Sequence, residues 1–303
     1  MRAHQASRTA IKISRVLFYV ARDDRRAPLL PPGAAEATEA LLRATGLLKD
    51  WHLKAYDGTR SRSMFDWIER TLAPGQSTHL ALRKRLLDDE TRSAIGSGAT
   101  QVLIVGAGFD TLGLRLARDF PDVRFVEVDH PATQSLKRHA LDQLDAPSNL
   151  VLHPADLAEV SLPETLDELR WDRDAKSMVV AEGVLMYLED QEVADFLRGV
   201  ATVVPPGSRL AGTYVVPDEQ GRLPSGRLGG RLGSLGRPSV ALLGDGLRWA
   251  VPIEELARRL TDSGFAPRLE PGRVDLHLRY LVPTGLDDLP LTSVVRIFVA
   301  ERD

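Results

Sequence analysis

The sequence predicts an α/β protein built on one doubly wound, largely parallel sheet. Between residues 99 and 216, short apolar runs alternate with stretches of helical period. The first of these runs, Val102-Leu103-Ile104-Val105, is apolar at every position, as a strand covered on both faces must be. It leads into Gly106-Ala107-Gly108, where the chain turns sharply and a Cβ would block a close approach. The end of the chain reads differently. Arg273 to Leu281 and Ser293 to Ala300 follow one another as strands with no helical crossover between them, which predicts an antiparallel hairpin at one edge.

Taken in order, the elements are these. Ile11, Ile13, Val16, Leu17 and Val20 recur at the spacing of an amphipathic helix. Its apolar cluster, Val16 to Val20, lies between Arg15 and Arg22 and is too short to span a membrane. It lacks the layout of a signal peptide and is expected to pack on its own domain. Residues 1–98 read as helices separated by Pro28 to Gly33 and by Pro74-Gly75, with helical segments at Glu36–Leu48 and Thr78–Ser93. Residues 99–303 form the core. Its first strand and glycine turn open a helix, Thr111–Asp119, followed by a strand, Val123–Val128, that ends at Asp129. Further strands are Asn149–His153, Ser177–Ala181 and Ser208–Val216. A helix at Gln191–Val203 is stopped by Pro205-Pro206-Gly207, and another runs from Pro252 to Ser263 before Gly264. A glycine- and arginine-rich insertion at about 218–250 reads as a solvated surface segment, or as a substrate lid or contact for an anionic partner.

Composition narrows the function. The chain has 303 residues, 39 basic and 42 acidic side chains and a net charge of −3, spread without long blocks. Nothing in that balance favours nucleic acid or an acidic membrane as partner. The chain has no cysteine, which excludes disulfides, thiolate catalysis and cysteine-held metals and agrees with a cytoplasmic enzyme. No histidine or carboxylate spacing resembles a metal site. His52, His79, His130, His139, His153 and His277 are scattered; His130 and His153 lie nearest the expected ligand crevice.

The glycine turn discriminates between nucleoside ligands. A dinucleotide site uses G-x-G-x-x-G to bring a helix N-terminus to a pyrophosphate. Here Thr111 stands where the third glycine belongs, and Asp110 places a carboxylate beside the supposed phosphate. S-adenosylmethionine has no phosphate and carries an ammonium and a sulfonium, so an acidic two-glycine turn suits it better. Asp129, at the carboxyl end of the second strand, has the lone pairs to accept two ribose hydroxyls. The plainer role for it is a helix N-cap before Pro131. Glu127 shares its sheet face and is the weaker candidate. Glu182, directly after Met178-Val179-Val180-Ala181, needs a cationic partner at the end of a buried strand.

Three motifs in order, GAGFDT at 106–111, FVEVDHP at 125–131 and AEGVLMYL at 181–188, resemble the leucine carboxyl methyltransferase family. That family includes polyketide O-methyltransferases and uncharacterised actinobacterial members, all dependent on S-adenosyl-L-methionine. The resemblance spans Arg60 to about Tyr214. It implies a class I methyltransferase fold, a Rossmann-like seven-stranded sheet with a helical N-terminal cap. It places Gly106, Ala107 and Gly108 along the cofactor, Asp129 at the ribose, Asp156 and Leu157 at the adenine and Glu182 at the methionyl end. On its own residues, Asp156 is equally a turn residue, and Glu182 equally half of a structural salt bridge. An arginine for the cofactor carboxylate, in an Arg-Thr-Arg pattern in the family, is expected at Arg60 in Arg60-Ser61-Arg62, with Arg62 in reserve. Tyr187 lines the substrate cavity or the core.

Methyl transfer by in-line displacement is chiefly a matter of positioning, so no catalytic residue is assigned. A carboxylate acceptor needs no base, whereas a hydroxyl wants one. The expected activity is O-methylation of a carboxylate or hydroxyl on a small molecule, a natural-product intermediate of secondary metabolism or a carrier-bound acceptor. The composition leaves a homo-oligomer open. The alternatives are a nicotinamide-dependent oxidoreductase on the same βαβ layout and a non-catalytic homologue that retains only cofactor binding.

Overall fold

The computed structural model describes residues 7–50, 63, 67, 69–71, 74–218, 220–223, 246–269, 271–292 and 294–303. Among these residues the chain forms a seven-stranded sheet in the order β3-β2-β1-β4-β5-β7-β6. Its strands are β1 (Gln101–Val105), β2 (Arg124–Asp129), β3 (Leu150–Pro154), β4 (Ser177–Ala181), β5 (Arg209–Val215), β6 (Phe265–Leu269) and β7 (Val295–Arg302). The first five pair in parallel, and β7 runs antiparallel to both β5 and β6. The order steps outward from β1 through β2 to β3, then restarts on the other side of β1 with β4. The gap between β1 and β4 is therefore the switch point, where strand ends of an open sheet leave a ligand crevice.

Helices cover both faces. Before the sheet come α1 (Arg8–Val20), α2 (Ala34–Ala44) and α3 (Gln76–Gly96). Within it are α4 (Leu112–Asp119), α5 (Pro131–Gln143), α6 (Leu162–Glu168), α7 (Asp190–Val203) and α8 (Ile253–Asp262). Alternate strand residues feed two apolar layers. Val102, Ile104, Met178, Val180 and Ile297 pack with Leu80, Leu82, Leu86 and Leu87 of α3. Leu103, Val105, Val126, Val179 and Phe298 pack with Leu166, Leu197, Val200 and Leu260 on the opposite face. That two-sided burial is why these strands are apolar throughout rather than alternating. Each large side chain so buried contributes roughly 1.5–3 kcal/mol.

Two close approaches require glycine. At Gly113 of α4 a Cβ would lie 2.5 Å from Glu127 Oε1 on β2. At Gly212 of β5 it would lie 2.8 Å from the carbonyl oxygen of Ala181.

The expected hairpin edge needs correction. Arg273–Leu281 is not a strand: it is helical, an α-turn at Arg273–Leu276, a π-turn at His277–Leu281 and a 3-10 turn at Val282–Thr284. Val274, Leu276, Leu278 and Tyr280 have the period of a strand, but Val274 and Leu278 are 69% and 59% exposed. The buried residues are Leu276 and Leu281, five apart, a spacing that a π-turn brings onto one face. The strand paired with β7 is β6, which contains Pro267. Proline is admissible there because β6 is the sheet's edge, and the register shifts between Pro267 and Leu269. Helix α6 is a further element that periodicity did not announce; Ser161 begins it with a capping box to Glu164.

Candidate active site

The carboxyl ends of β1 to β4 converge where the order reverses, and the glycine turn lies in their midst. Gly106 and Gly108 both adopt positive φ, +65° and +53°. A Cβ on Gly106 would lie 2.6 Å from Val184 Cγ2, and one on Gly108 would lie 3.1 Å from Ala10 Cβ of α1. Side chains are thus excluded for conformation and for space alike. Ala107 between them is buried.

Asp129 closes on this turn. Its carboxylate accepts from the Gly108 N–H at 2.5 Å on one oxygen and from the His130 N–H at 2.6 Å on the other. It does not cap the following helix. That role falls to His130, whose Nδ1 accepts from the Ala132 N–H at 3.2 Å. Burial pushes the Asp129 carboxyl above its ordinary value, opposed by the two backbone donors. Each oxygen keeps acceptor capacity for a further donor. Since Nδ1 of His130 accepts, its proton sits on Nε2, 3.6 Å from Asp156 Oδ2. Asp156 also makes the turn expected of its residue type, Oδ1 accepting from the Ala158 N–H at 3.1 Å. The Ala155 N–H, which donates to the Asp129 carbonyl at 2.9 Å, brings Asp156 to the β2 end. Leu157 lies half-buried against the second apolar layer. Glu127 lies two residues earlier on the same sheet face but deeper in the strand. Its carboxylate pairs with Lys137 at 2.6 Å, both side chains buried, which makes it part of the core rather than of the crevice.

Glu182 meets two cations of α3. Arg83 donates to Oε1 through Nη2 at 2.6 Å and Nε at 3.1 Å, and Lys84 donates to Oε2 at 2.9 Å. Lys84 continues to Asp110 Oδ2 at 2.6 Å, and Asp110 Oδ1 accepts from the Leu112 N–H at the start of α4. The structure thus gives Glu182 the salt bridge that the sequence left as one of its two readings. Burial alone would push Asp110 up, but the Lys84 charge and hydrogen bond, with Lys137 and Arg115, hold it below the ordinary carboxylate range. Lys84 responds in kind: burial pulls it down, and Asp110 and Glu182 more than reverse that. Asp110 is therefore a neutralised charge, so its argument against a phosphate is weaker than the sequence suggests. The missing third glycine stands.

Arg60 and Arg62 lie outside the described residues. Among the described residues, the cations that meet Glu182 are Arg83 and Lys84, in Arg83-Lys84-Arg85. This is an Arg-x-Arg pattern inside the expected Thr78–Ser93 helix, with no role assigned to it from the sequence. The signal that could have found it is its distance of one helix from the glycine turn.

Tyr187 belongs to a 3-10 turn, Leu185–Tyr187, just beyond Glu182. It is half-buried; burial raises its phenol, while a hydrogen bond with Thr9 and the Arg83 charge act against that. Thr9, Ala10 and the Ser7 N–H, which donates to Thr133 Oγ1 at 3.2 Å, lay the start of α1 across the strand ends. His79, one helical turn before Arg83, is 4% exposed. Neither ring nitrogen makes a hydrogen bond of normal geometry. Burial pulls its pKa down to about 3, with the Arg83 charge acting in the same direction. Among the described residues no three histidine or acidic side chains are grouped to hold a metal. No helix among them is long and apolar enough to cross a membrane.

Comparison with known proteins bears on this arrangement. Residues 20–201 match the model of the leucine carboxyl methyltransferase family. A protein of Mycolicibacterium gilvum (strain PYR-GCK), named as a candidate S-adenosyl-L-methionine-dependent methyltransferase, is 32% identical over 180 residues, 58% of this chain and 57% of that protein. One of Parafrankia sp. (strain EAN1pec), named likewise, is 35% identical over 144 residues, 46% and 45% of the two chains. The match thus spans about half the length of these curated relatives. A crystal structure of a candidate methyltransferase from Thermobifida fusca YX superposes with a TM-score of 0.54 at 22% identity, covering 90% of this chain and 98% of that one. That likeness is one of fold.

Proposed function

The chain belongs to the leucine carboxyl methyltransferase family, and from that premise we propose that it is an S-adenosyl-L-methionine-dependent O-methyltransferase. The acceptor is a carboxylate or hydroxyl of a small molecule, a natural-product intermediate or a carrier-bound form of one. The observation that carries the reading is the closure of the Gly106–Gly108 turn on the Asp129 carboxylate, at the switch point beside a buried, charge-balanced quartet.

The residues present suit the cofactor. The two glycines leave room for backbone to approach it. Asp129 has an unused lone pair on each oxygen for ribose hydroxyls. Asp156 and Leu157 would take the adenine edge and face. Arg83 and Lys84 would hold the carboxylate of the amino-acid end and Glu182 its ammonium. Two cations and two carboxylates, Arg83, Lys84, Asp110 and Glu182, sum to zero. A zwitterion is the one ionic group that can join them without leaving a net buried charge. When bound, the cofactor supplies an electrophilic methyl group. What the chain adds is alignment of the acceptor oxygen and exclusion of water by the start of α1 over Gly108. A carboxylate acceptor needs no proton removed; among the described residues near the crevice, His79 is held neutral with little basicity and Tyr187 is held protonated.

The test is transfer of labelled methyl from S-adenosylmethionine into panels of carboxylic acids, phenols and alcohols, with ester and ether products resolved by mass. Ester or ether formation supports the reading. Tight cofactor binding with no transfer to any panel member would leave the non-catalytic homologue.

A further inference from the structure

On the outer side of α3, away from the crevice, lies a cavity of about 350 Å³. It is an open cleft bounded by three elements distant in sequence: the 3-10 turn Ala27–Leu29, α3, and the helical run 273–284. Pro28, Leu29 and Pro283 give it an apolar wall. Its polar side is Arg85 and Asp89 of α3 with Arg279 and Tyr280 of the helical run.

The hydrogen bonds among these four groups are unevenly used. Asp89 is engaged on both oxygens: Oδ1 accepts from Arg85 Nε at 3.1 Å, and Oδ2 accepts from the Tyr280 hydroxyl at 2.9 Å. The guanidiniums are not fully engaged. Arg85 commits only Nε, and its two terminal amino groups have no partner among the described residues. Arg279 forms long ion pairs with Asp89 at 3.9 Å and Glu90 at 3.6 Å without a hydrogen bond to either, and its Cζ lies 5.2 Å from the Tyr280 ring centre. The lining carries two arginines against one carboxylate; Glu90, which faces Arg279 from outside the lining, is shared with Arg209 at 3.7 Å, and the uncommitted donors belong to arginine forks suited to a planar anion.

We propose that this cavity is a second small-molecule site, for an organic monoanion with an apolar body. The carboxylate takes the free donors of Arg85 and Arg279, and the body lies on Pro28, Leu29 and Pro283. An occupant would tie α3 to the 273–284 run. Arg85 directly follows Arg83 and Lys84, which hold Glu182 on the other side of the same helix, so the site is placed to bias the crevice through α3. It does not depend on what the crevice binds.

The experiment is calorimetric titration of the full chain with 3-phenylpropionate, 3-phenylpropan-1-ol and acetate. 3-Phenylpropionate is expected to bind at millimolar Kd or tighter, with the alcohol and acetate each about tenfold weaker. Arg85→Ala and Arg279→Ala should each weaken 3-phenylpropionate about tenfold. Thr284→Trp, at the exposed rim, should abolish it by filling the space. All three variants should keep the wild-type response to S-adenosylhomocysteine, whatever that response is. No binding of 3-phenylpropionate, equal binding of acetate, or unchanged affinity in both arginine variants would each overturn the proposal.

Discussion

Asp129 does two things at once, and they can be separated. It braces the glycine turn through the Gly108 and His130 amides, and under the proposed function it also receives the ribose. Asp129→Ala should weaken S-adenosylhomocysteine by about 1–3 kcal/mol, the effect of losing a charge-assisted pair. Unchanged affinity in a folded variant, read by calorimetry, would remove Asp129 from the site. His79 makes a prediction of its own. Its folded pKa of about 3 lies below the unfolded value near 6.5, so the unfolded chain takes up a proton first as the pH falls. Stability from keeping this ring neutral is therefore full above about pH 6.5 and is lost as the pH falls toward 3, with a slope approaching about 1.4 kcal/mol per unit. His79→Leu should flatten that slope by one proton in denaturant titrations at stepped pH, and an unaltered slope would refute the assignment. At this scale the sequence was informative where chemistry and position coincide: Asp129 ends a strand, and Gly106 and Gly108 end another. It was silent on Arg83 and Lys84, because a basic pair on a helix looks the same whether it faces water or a buried carboxylate. The helix covering the strand ends is what separates those cases.

Helix α3 is the element on which the site rests. Its first half is buried almost all round, from Gln76 to Arg83, so it lacks a solvent face that periodicity could reveal. It anchors the crevice through the Arg83 and Lys84 ion pairs with Glu182. Removing one partner of such a pair leaves an uncompensated buried charge. Arg83→Met should therefore destabilise the fold by about 3–5 kcal/mol, with Arg83→Met/Glu182→Met recovering much of the loss. Thermal unfolding of the two variants checks this, and equal losses in both would show that the pair is not coupled. The elements misread from sequence share one cause. The 273–284 run has strand period but is helical because a π-turn realigns its two buried leucines. Strand β6 was hidden because Pro267 argues against a strand everywhere except at an edge, and edge position is a property of the assembled sheet.

At the scale of the whole molecule the sheet was the legible part. The inner parallel strands, closed on both faces, impose apolar runs that no surface element imitates, and the alternation of strands with helices dictates the doubly wound order. What lies above the strand ends is less legible, since α1 and α3 reach the crevice through contacts far apart in sequence. The core predicts its own sensitivity. Leu86→Ala, fully buried between α3 and the sheet, should cost about 2–5 kcal/mol in chemical unfolding. A loss below about 1 kcal/mol would mean that α3 is not packed as described. The account rests most heavily on the crevice holding S-adenosylmethionine. Titration of the wild-type chain with S-adenosylmethionine, S-adenosylhomocysteine and NADPH tests this directly. Saturable binding of the first two without the third, weakened by Asp129→Ala, is the predicted result. Binding of NADPH in their place would contradict it.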